Sequence, residues 1–251
     1  MKGGVERIST CISGLDAIIG GGMPKGSAVL VTGPAGCGKT LIAMQFITEG
    51  AKKGEKGLYI SFEENRNDLV SQAAQFGWDV ETLEREGKMK VMNFNMSNMH
   101  VLQVITEIEK AIQNDGYKRL SLDSITVLGM YASIVAGAEM LQAVGMKRDS
   151  GGLPSGETVW RGAIMGIIGK IKHMNITSLI VSELPESTHY LSRDTISEFA
   201  CDGIIRLAHS VINKRRKKFI EVIKMRQTAH DNGVHEVIIG KTGVSVKEGI
   251  A

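Results

Sequence analysis

The sequence predicts an α/β fold: a mainly parallel sheet with helices on both faces, followed by a C-terminal antiparallel β extension. Two observations carry this prediction. From residue 27 to residue 183, short apolar runs of strand type alternate with segments whose apolar residues recur at helical spacing. After residue 203, further strand patterns are separated only by turns. Alternating strands and helices favour a parallel sheet, whereas consecutive hairpins favour added antiparallel strands.

Length and composition place this fold in a single globular domain. The chain has 251 residues, of which 43% are apolar and 23% charged. We expect one unit over 1–251, with a lead-in over 1–26, an α/β core over 27–207 and a hairpin extension over 208–251. No apolar run approaches the roughly 18 residues of a membrane span, and no secretory signal pattern is present. The expectation is a cytoplasmic protein without a membrane partner.

The elements are predicted in chain order from the same patterns. Strands are expected at 27–32, 57–62, 90–94, 119–123 and 177–182, then at 203–207, 219–225, 235–239 and 243–246. Helices are expected at 41–51, from a cap at Asn65 or Asn67 to residue 76, at 80–85 after Asp79, at 100–113 and at 157–174. Residues 129–158 are rich in glycine and are predicted to form a long loop with one helical piece over 138–144.

A glycine-rich segment connects the first core strand to the first core helix. It reads Gly33-Pro34-Ala35-Gly36-Cys37-Gly38-Lys39-Thr40 and fits the pattern GxxxxGK[ST]. Such a turn aims backbone N–H groups and the positive end of a helix dipole at one point, which suits a polyphosphate. Lys39 is expected to reach the outer phosphates, and the Thr40 hydroxyl to bind Mg²⁺. The expected ATP contacts are Gly33, Pro34, Ala35, Gly36, Cys37, Gly38, Lys39, Thr40 and Leu41.

Acidic residues stand at the ends of two other predicted strands. Asp123 follows an apolar strand and fits the Walker B carboxylate that helps to hold Mg²⁺ from the side opposite Thr40. Glu63 and Glu64 end the strand after the phosphate loop, where a carboxylate is able to activate the attacking water. We predict Glu63 and Glu64 as the catalytic pair, with Glu64 also reaching Mg²⁺ through water. Taken alone, Asp123 also fits a surface acid, and the pair also fits a helix N-terminal charge pair.

These motifs together resemble the RecA-type ATPases and, more narrowly, a single-domain member of the KaiC family of the archaeal type. The resemblance spans nearly the whole chain. Its residues are Gly14-Leu15-Asp16 with 20–26, the phosphate loop, 61–64 with 76–78, Asp123-Ser124, Arg161, Ser182-Glu183, Glu198-Phe199 with Asp202-Gly203, and 224–226 with Thr228 and His230.

The resemblance implies a ring, usually a hexamer, with ATP bound between neighbouring subunits. It implies that Lys224, Arg226, Thr228 and His230 contact the nucleotide of the adjacent subunit. Lys224 and Arg226 alternate with apolar residues in a predicted strand, so both side chains are expected on one side of it. A cation supplied by a neighbour makes hydrolysis depend on assembly. The self-association is therefore the main expected partnership, and a further protein partner is left open.

Two departures and two alternatives accompany this interpretation. The KaiC clock proteins contain two fused copies, and the kinase half carries Ser and Thr acceptors where this chain has Glu198-Phe199. Autokinase activity is therefore not expected. One alternative is a RecA- or RadA-like DNA-dependent ATPase, with 129–158 as the strand-contacting loop and the basic run 214–218 as backbone contacts. That run also fits a solvated turn. The other alternative is a non-catalytic signalling scaffold stabilised by ATP.

Overall fold

A computed structural model describes residues 4–95, 101–135, 156–186 and 188–247. Its strands are β1 (Arg7–Ile8), β2 (Met23–Pro24), β3 (Ala28–Gly33), β4 (Gly57–Ser61), β5 (Met89–Asn93), β6 (Arg119–Asp123), β7 (Thr177–Glu183), β8 (Gly203–Ile212), β9 (Arg215–Met225), β10 (Val234–Gly240) and β11 (Gly243–Val246). Its helices are α1 (Leu15–Ile18), α2 (Lys39–Lys52), α3 (Arg66–Ala74), α4 (Val80–Arg85), α5 (Val101–Asp115), α6 (Ile125–Val135), α7 (Gly156–His173) and α8 (Ser197–Ala200).

The described ranges contain one large sheet of nine strands in the order β11-β10-β9-β8-β3-β7-β6-β4-β5. The six strands from β8 to β5 run parallel to their neighbours. The strands β9, β10 and β11 add antiparallel to this edge, so β8 is the junction between the two parts. One apolar cluster packs α2, α3 and α4 on one face, and a second packs α5, α6 and α7 on the other. The predicted fold class is confirmed.

The central strands are buried along their whole length. All six residues of β3 and all five of β4 and β6 are buried, because helices cover both sides of each strand. Continuous burial explains why these strands read as near-continuous apolar runs in the sequence. The polar groups that remain stand at their carboxyl ends, where parallel strands leave an open crevice. The fold therefore gathers Gly33, Ser61 and Asp123 along one edge of the sheet.

The prediction of a long loop over 129–158 is wrong at both described ends. Helix α6 continues to Val135, and α7 begins at Gly156. Gly129 lies inside α6, at a position where any side chain would collide with the indole of Trp160. That glycine permits close packing of α6 against α7 and does not mark a turn. The predicted helical piece over 138–144 falls outside the described residues.

The basic run was predicted to fit a turn, and only its first residue lies in one. The turn consists of Asn213 and Lys214, whose φ angles are 51° and 60°. Residues 215–218 belong to β9, which pairs with β8 along a longer hairpin than the apolar pattern indicates. Beyond Arg206, β8 no longer pairs with β3, so the hairpin projects past the carboxyl edge of the central strands. The two-residue strands β1 and β2 were also not predicted. Among the described helices, none has the length and apolar character needed to cross a bilayer.

Candidate nucleotide-binding site

The phosphate-binding loop connects β3 to α2 in the backbone conformation that the motif predicts. Gly36 and Gly38 adopt φ angles of 73° and 104°, which other residues rarely adopt. The first intrahelical bond of α2 runs from the Ile42 amide to the Gly38 carbonyl at 3.1 Å. The amides of the first turn, Lys39 to Leu41, therefore have no acceptor within the helix. The loop presents these amides, with the positive end of the α2 dipole, at the edge of the sheet.

The side chains of the loop divide into one that faces the crevice and one that faces the core. Lys39 is only 5% exposed, and its Nζ donates to the Pro34 carbonyl at 3.0 Å. Cys37 is fully buried in the core, and this burial raises the pKa of its thiol. Cys37 therefore contributes packing, while its backbone belongs to the loop. Lys39 is the loop's own cation, held across the mouth of the loop.

Asp123 ends β6 in contact with residues of two other elements. Its Oδ2 accepts a hydrogen bond of 2.7 Å from the Tyr59 hydroxyl, and the Thr40 side chain also hydrogen-bonds to the carboxylate. Burial raises the pKa of Asp123, while the bonds from Tyr59 and Thr40 and the charge of Lys39 act in the opposite direction. The structure thus brings the predicted Walker B acid and the threonine of the loop together.

Glu63 and Glu64 follow β4, which is paired with β6 so that Ser61 lies opposite Asp123. The hydroxyl of Ser124 donates to Glu63 Oε1. Partial burial of the carboxyl group is the main cause that raises the pKa of Glu63, and the negative charges of Glu183 and Asp123 raise it further. The Glu63 carboxylate therefore belongs to the same acidic cluster as Asp123.

The Glu64 carboxylate takes a different direction. It accepts a hydrogen bond from Gln72 of α3. Its carbonyl accepts from the Ser61 hydroxyl at 2.7 Å and from the Asn93 side chain at 2.7 Å. The structure therefore distinguishes two residues that the sequence treats as an equivalent pair. Glu63 contacts the end of β6, and Glu64 is held toward α3.

Glu183 is among the residues that carry the KaiC resemblance but is not one of the predicted site residues, and the structure places its carboxylate beside Lys39. Its Oε1 lies 3.5 Å from Nζ of Lys39, and its amide donates to the Thr126 hydroxyl at 3.0 Å. Strand β7 lies between β3 and β6 in the sheet, which puts Glu183 beside both the loop and Asp123. The available signal in the sequence was an acid at the end of a buried strand, the same signal that identified Asp123.

Four residues are expected to contact the nucleotide of the adjacent subunit, and none of them contacts the phosphate loop of its own chain. They are Lys224, Arg226, Thr228 and His230. Met225 pairs with Gly203, which pairs with Val29 near the start of β3. Because the phosphate loop follows the far end of the six-residue β3, Arg226 lies about 16 Å from it along the sheet.

Two of these residues contact the segment around α8. Lys224 Nζ donates to the carbonyls of Glu198 and Cys201 at 3.0 and 2.8 Å, and burial and the charge of Arg226 lower its pKa. The Arg226 guanidinium lies 3.3 Å from Asp202 and is 55% exposed. Both cations therefore contact the 198–202 segment, although β9 ends at Met225 and Arg226 lies in the turn that follows, not in the strand as predicted.

Thr228 and His230 follow on the same edge. The Thr228 hydroxyl accepts from Arg7 at 3.0 Å, and the Nδ1 of His230 lies 3.0 Å from the Asp231 carbonyl. Groups of three or more His, Cys, Asp or Glu residues that could hold a metal ion do not occur among the described residues.

Comparison with known proteins identifies the family. The family model described as "ATPase: KaiC" matches residues 8–151 and 152–250. The chain belongs to the KaiC ATPase family. The circadian clock oscillator protein KaiC of Picosynechococcus sp. is 31% identical over 252 residues, which cover 97% of this chain and 45% of that protein. KaiC of Nostoc sp. is 30% identical, over 97% of this chain and 44% of that protein. The chain thus spans about half the length of these relatives.

A solved structure matches over nearly its full length. The crystal structure of the KaiC-like protein PH0186 from the hyperthermophilic archaeon Pyrococcus horikoshii OT3 has 32% sequence identity and a TM-score of 0.79. The match covers 97% of this chain and 99% of that chain. The KaiC family and the RecA-like fold predicted from the sequence are therefore confirmed.

Proposed function

We propose that this KaiC-family chain binds ATP with Mg²⁺ and hydrolyses it at the interfaces of a ring of identical subunits, to drive or time a conformational change. The observation that carries the proposal is the convergence of Lys39, Asp123 and Glu63 at the carboxyl ends of β3, β6 and β4. Each is a type of group that phosphoryl transfer requires: a cation for the phosphates, a carboxylate for the metal and a carboxylate for the water.

The residues present fit Mg²⁺, which prefers oxygen ligands from one or two protein groups together with phosphates and water. Thr40 and Asp123 would hold the ion, because their side chains already contact each other beside the loop. Glu64 is the predicted contact through a water molecule. When bound, the ion would neutralise charge on the phosphate oxygens.

Glu63 is the better of the two candidates for activating water. Its raised pKa makes it a stronger proton acceptor than an ordinary carboxylate. The Ser124 hydroxyl orients one of its oxygens and leaves the other, Oε2, for a water molecule. Glu64 is proposed to support this step, since its carboxylate is held by Gln72.

A second copy of the chain is proposed to complete the site. The carboxyl edge of the sheet carries Glu63, Asp123 and Glu183, whereas Lys224 and Arg226 lie at the opposite edge. Negative charge develops on the phosphate oxygens during hydrolysis, and added positive charge stabilises this transition state. In many ATPases and GTPases an arginine from a neighbouring protein supplies that charge. Because Arg226 of the same chain is about 16 Å away, only another copy is placed to supply it.

Steady-state hydrolysis by single variants tests the assignment of the base. We expect Glu63→Gln to lower kcat by about a hundredfold or more, and Glu64→Gln to lower it less, with ATP binding retained in both. Glu81→Gln, an exposed residue of α4, is the matched control and should keep wild-type turnover. Unchanged hydrolysis in the double variant Glu63→Gln, Glu64→Gln would refute the assigned base.

The two alternatives give different results with the same protein. A DNA-dependent ATPase is favoured by the basic start of β9, and it would show turnover stimulated by single-stranded DNA with salt-sensitive binding. An ATP-stabilised scaffold would retain intact ATP over many hours in the assembled state. Slow release of ADP without added DNA is the outcome that the proposed function predicts.

A further inference from the structure

Asp202 occupies the turn between α8 and β8 and joins three parts of the chain. Its Oδ2 accepts the Ala28 amide at 3.1 Å, at the start of β3. Its Oδ1 accepts from Lys172 Nζ at 2.7 Å and from the Arg226 guanidinium at 3.3 Å. The side chain is 16% exposed, so these contacts replace most of its hydration. A single carboxylate therefore links the strand of the phosphate loop, helix α7 and Arg226.

Backbone hydrogen bonds fix the position of the Arg226 main chain, while its side chain stays largely exposed. The Arg226 amide donates to the Asp202 carbonyl at 2.9 Å, and the Asp202 amide donates to the Ala28 carbonyl at 2.7 Å. These bonds hold the end of β9 to the beginning of β3. The Arg226 side chain is 55% exposed and makes the longer of the two bonds to Oδ1. Its guanidinium is held in place without being buried.

Lys172 is a second cation on Oδ1 of Asp202, and its presence allows the contact between Arg226 and Asp202 to break and re-form. When a charged partner leaves a largely buried carboxylate, the unpaired carboxylate raises the free energy of the folded protein unless another group pairs with it. Lys172 stays on Oδ1 when Arg226 moves away, so Asp202 keeps an ionic partner. Arg226 is therefore able to exchange Asp202 for another anion at low cost. A polyphosphate bound to an adjacent subunit is an anion of suitable charge.

We propose that Asp202 is a positioning residue that holds Arg226 ready for the nucleotide of the neighbouring subunit and releases it to that nucleotide. The inference rests on the proposed function, since it requires Arg226 to act on another copy. It adds a physical link within one subunit: the carboxylate that holds Arg226 also binds the amino end of β3, whose other end carries the phosphate loop.

Subunit mixing tests this role with full-length protein. In Asp202→Asn, the amide oxygen retains an acceptor for Ala28, but the charge that holds Arg226 is lost. We expect kcat to fall about tenfold, because one charge-assisted hydrogen bond is removed. Excess subunits carrying Glu63→Gln and Glu64→Gln should restore turnover at the intact loops of Asp202→Asn subunits, because those added subunits supply a correctly held Arg226. A role confined to the fold of the variant's own subunit would not be rescued by mixing.

Two further variants keep the outcomes distinct. Arg226→Ala in the same assay tests the proposed function itself: wild-type turnover there would overturn the action on a neighbour. Suppose instead that Arg226→Ala is inactive and that mixing restores its turnover. The positioning role is then overturned if Asp202→Asn has wild-type turnover, or if mixing fails to restore the turnover of Asp202→Asn. If Asp202→Asn does not fold, Lys172→Met replaces it. Release of Arg226 would then leave Asp202 unpaired, so we expect lowered turnover that mixing restores, and unchanged turnover would contradict the role.

Discussion

The two edges of the parallel sheet differ in how their charged side chains are held. At the carboxyl edge, Glu63, Asp123 and Glu183 lie near Lys39, whose side chain is 5% exposed. At the amino edge, Arg226 is 55% exposed and shares one carboxylate oxygen with a second cation. The cation of the carboxyl edge is thus buried beside carboxylates, whereas the arginine of the amino edge is exposed to solvent.

Under the proposed function, each edge supplies a different part of the catalytic site. The carboxyl edge carries the carboxylates that suit Mg²⁺ and water, together with two cations at the loop, Lys39 and Lys218, of which Lys218 donates to the Gly36 carbonyl. The amino edge carries Arg226, the arginine proposed to act on a neighbour's phosphates. Because about 16 Å of sheet separates them, the two edges of one subunit cannot meet. In the proposed assembly, head-to-tail contacts between copies would bring opposite edges together, and a ring would form where the rotation between copies closes.

The largest expected effect comes from removing the cation of the amino edge. Arg226→Ala should lower turnover by about a thousandfold, the scale on which an arginine supplied in trans stabilises the transition state. Its affinity for ATP in the monomeric state should stay at the wild-type value, since Arg226 does not reach its own loop. Turnover and equilibrium ATP binding, measured on the same preparation, check both parts.

A cation at the opposite end of β9 provides the matched control for that variant. Arg226 follows the last residue of that strand, whereas Arg215→Ala removes an exposed arginine at its first residue, in the projecting hairpin. We expect wild-type turnover from it. Equal losses of turnover in Arg226→Ala and Arg215→Ala would mean that turnover depends on the total basic charge of this region. The distinction between the two edges would then be wrong.

The next effect concerns the cation of the carboxyl edge. Lys39→Ala should weaken ATP binding about a hundredfold, which corresponds to roughly 3 kcal/mol for charge-assisted bonds to phosphate. The control is Lys53→Ala, which removes an exposed lysine just beyond the other end of α2. Unlike Arg226→Ala, this variant should lose binding in the isolated subunit. Retained affinity would remove the lysine from the phosphate site.

The smallest expected effect is a shift in pH dependence. Glu63 must be ionised to accept a proton from water, so kcat/KM should fall as the pH drops through its raised pKa. Glu183→Gln removes a negative charge that raises this pKa, and the acid limb should therefore move to lower pH. A limb that stays in place, or moves to higher pH, would show that Glu63 does not control it. Initial rates across the acidic range measure the shift.

Much of the fold was predictable because burial leaves a local signature in the sequence. The core strands β3, β4 and β6 are buried over their whole length and carry apolar residues between their ends, and the predicted ends fall within about two residues of the observed ones. Helix α6 was not predicted, since Gly129 reads as a turn signal until the packing of Trp160 against it is known. The predicted strands at 203–207 and 219–225 are shorter than β8 and β9, because the exposed basic residues of this hairpin lack an apolar pattern.

The site was predictable to the extent that it follows a motif. Gly33 to Thr40 and Asp123 could be identified because their residue types and spacing are local. The contact between Lys39 and Glu183 joins residues 144 positions apart, and it arises from the order of strands in the sheet. The shared contact of Arg226 and Lys172 with Asp202 likewise joins residues from separate elements. Such contacts have no local signature, so the structure was needed to find them.

The most direct test of shared sites is to mix two inactive variants. Arg226→Ala subunits keep an intact loop and base, while Glu63→Gln, Glu64→Gln subunits keep an intact Arg226. Each variant alone should be almost inactive. An equal mixture that reassembles at random should recover about a quarter of wild-type turnover, because about one interface in four then pairs an intact base with an intact arginine. A mixture no more active than its components would contradict the account that two copies complete each site.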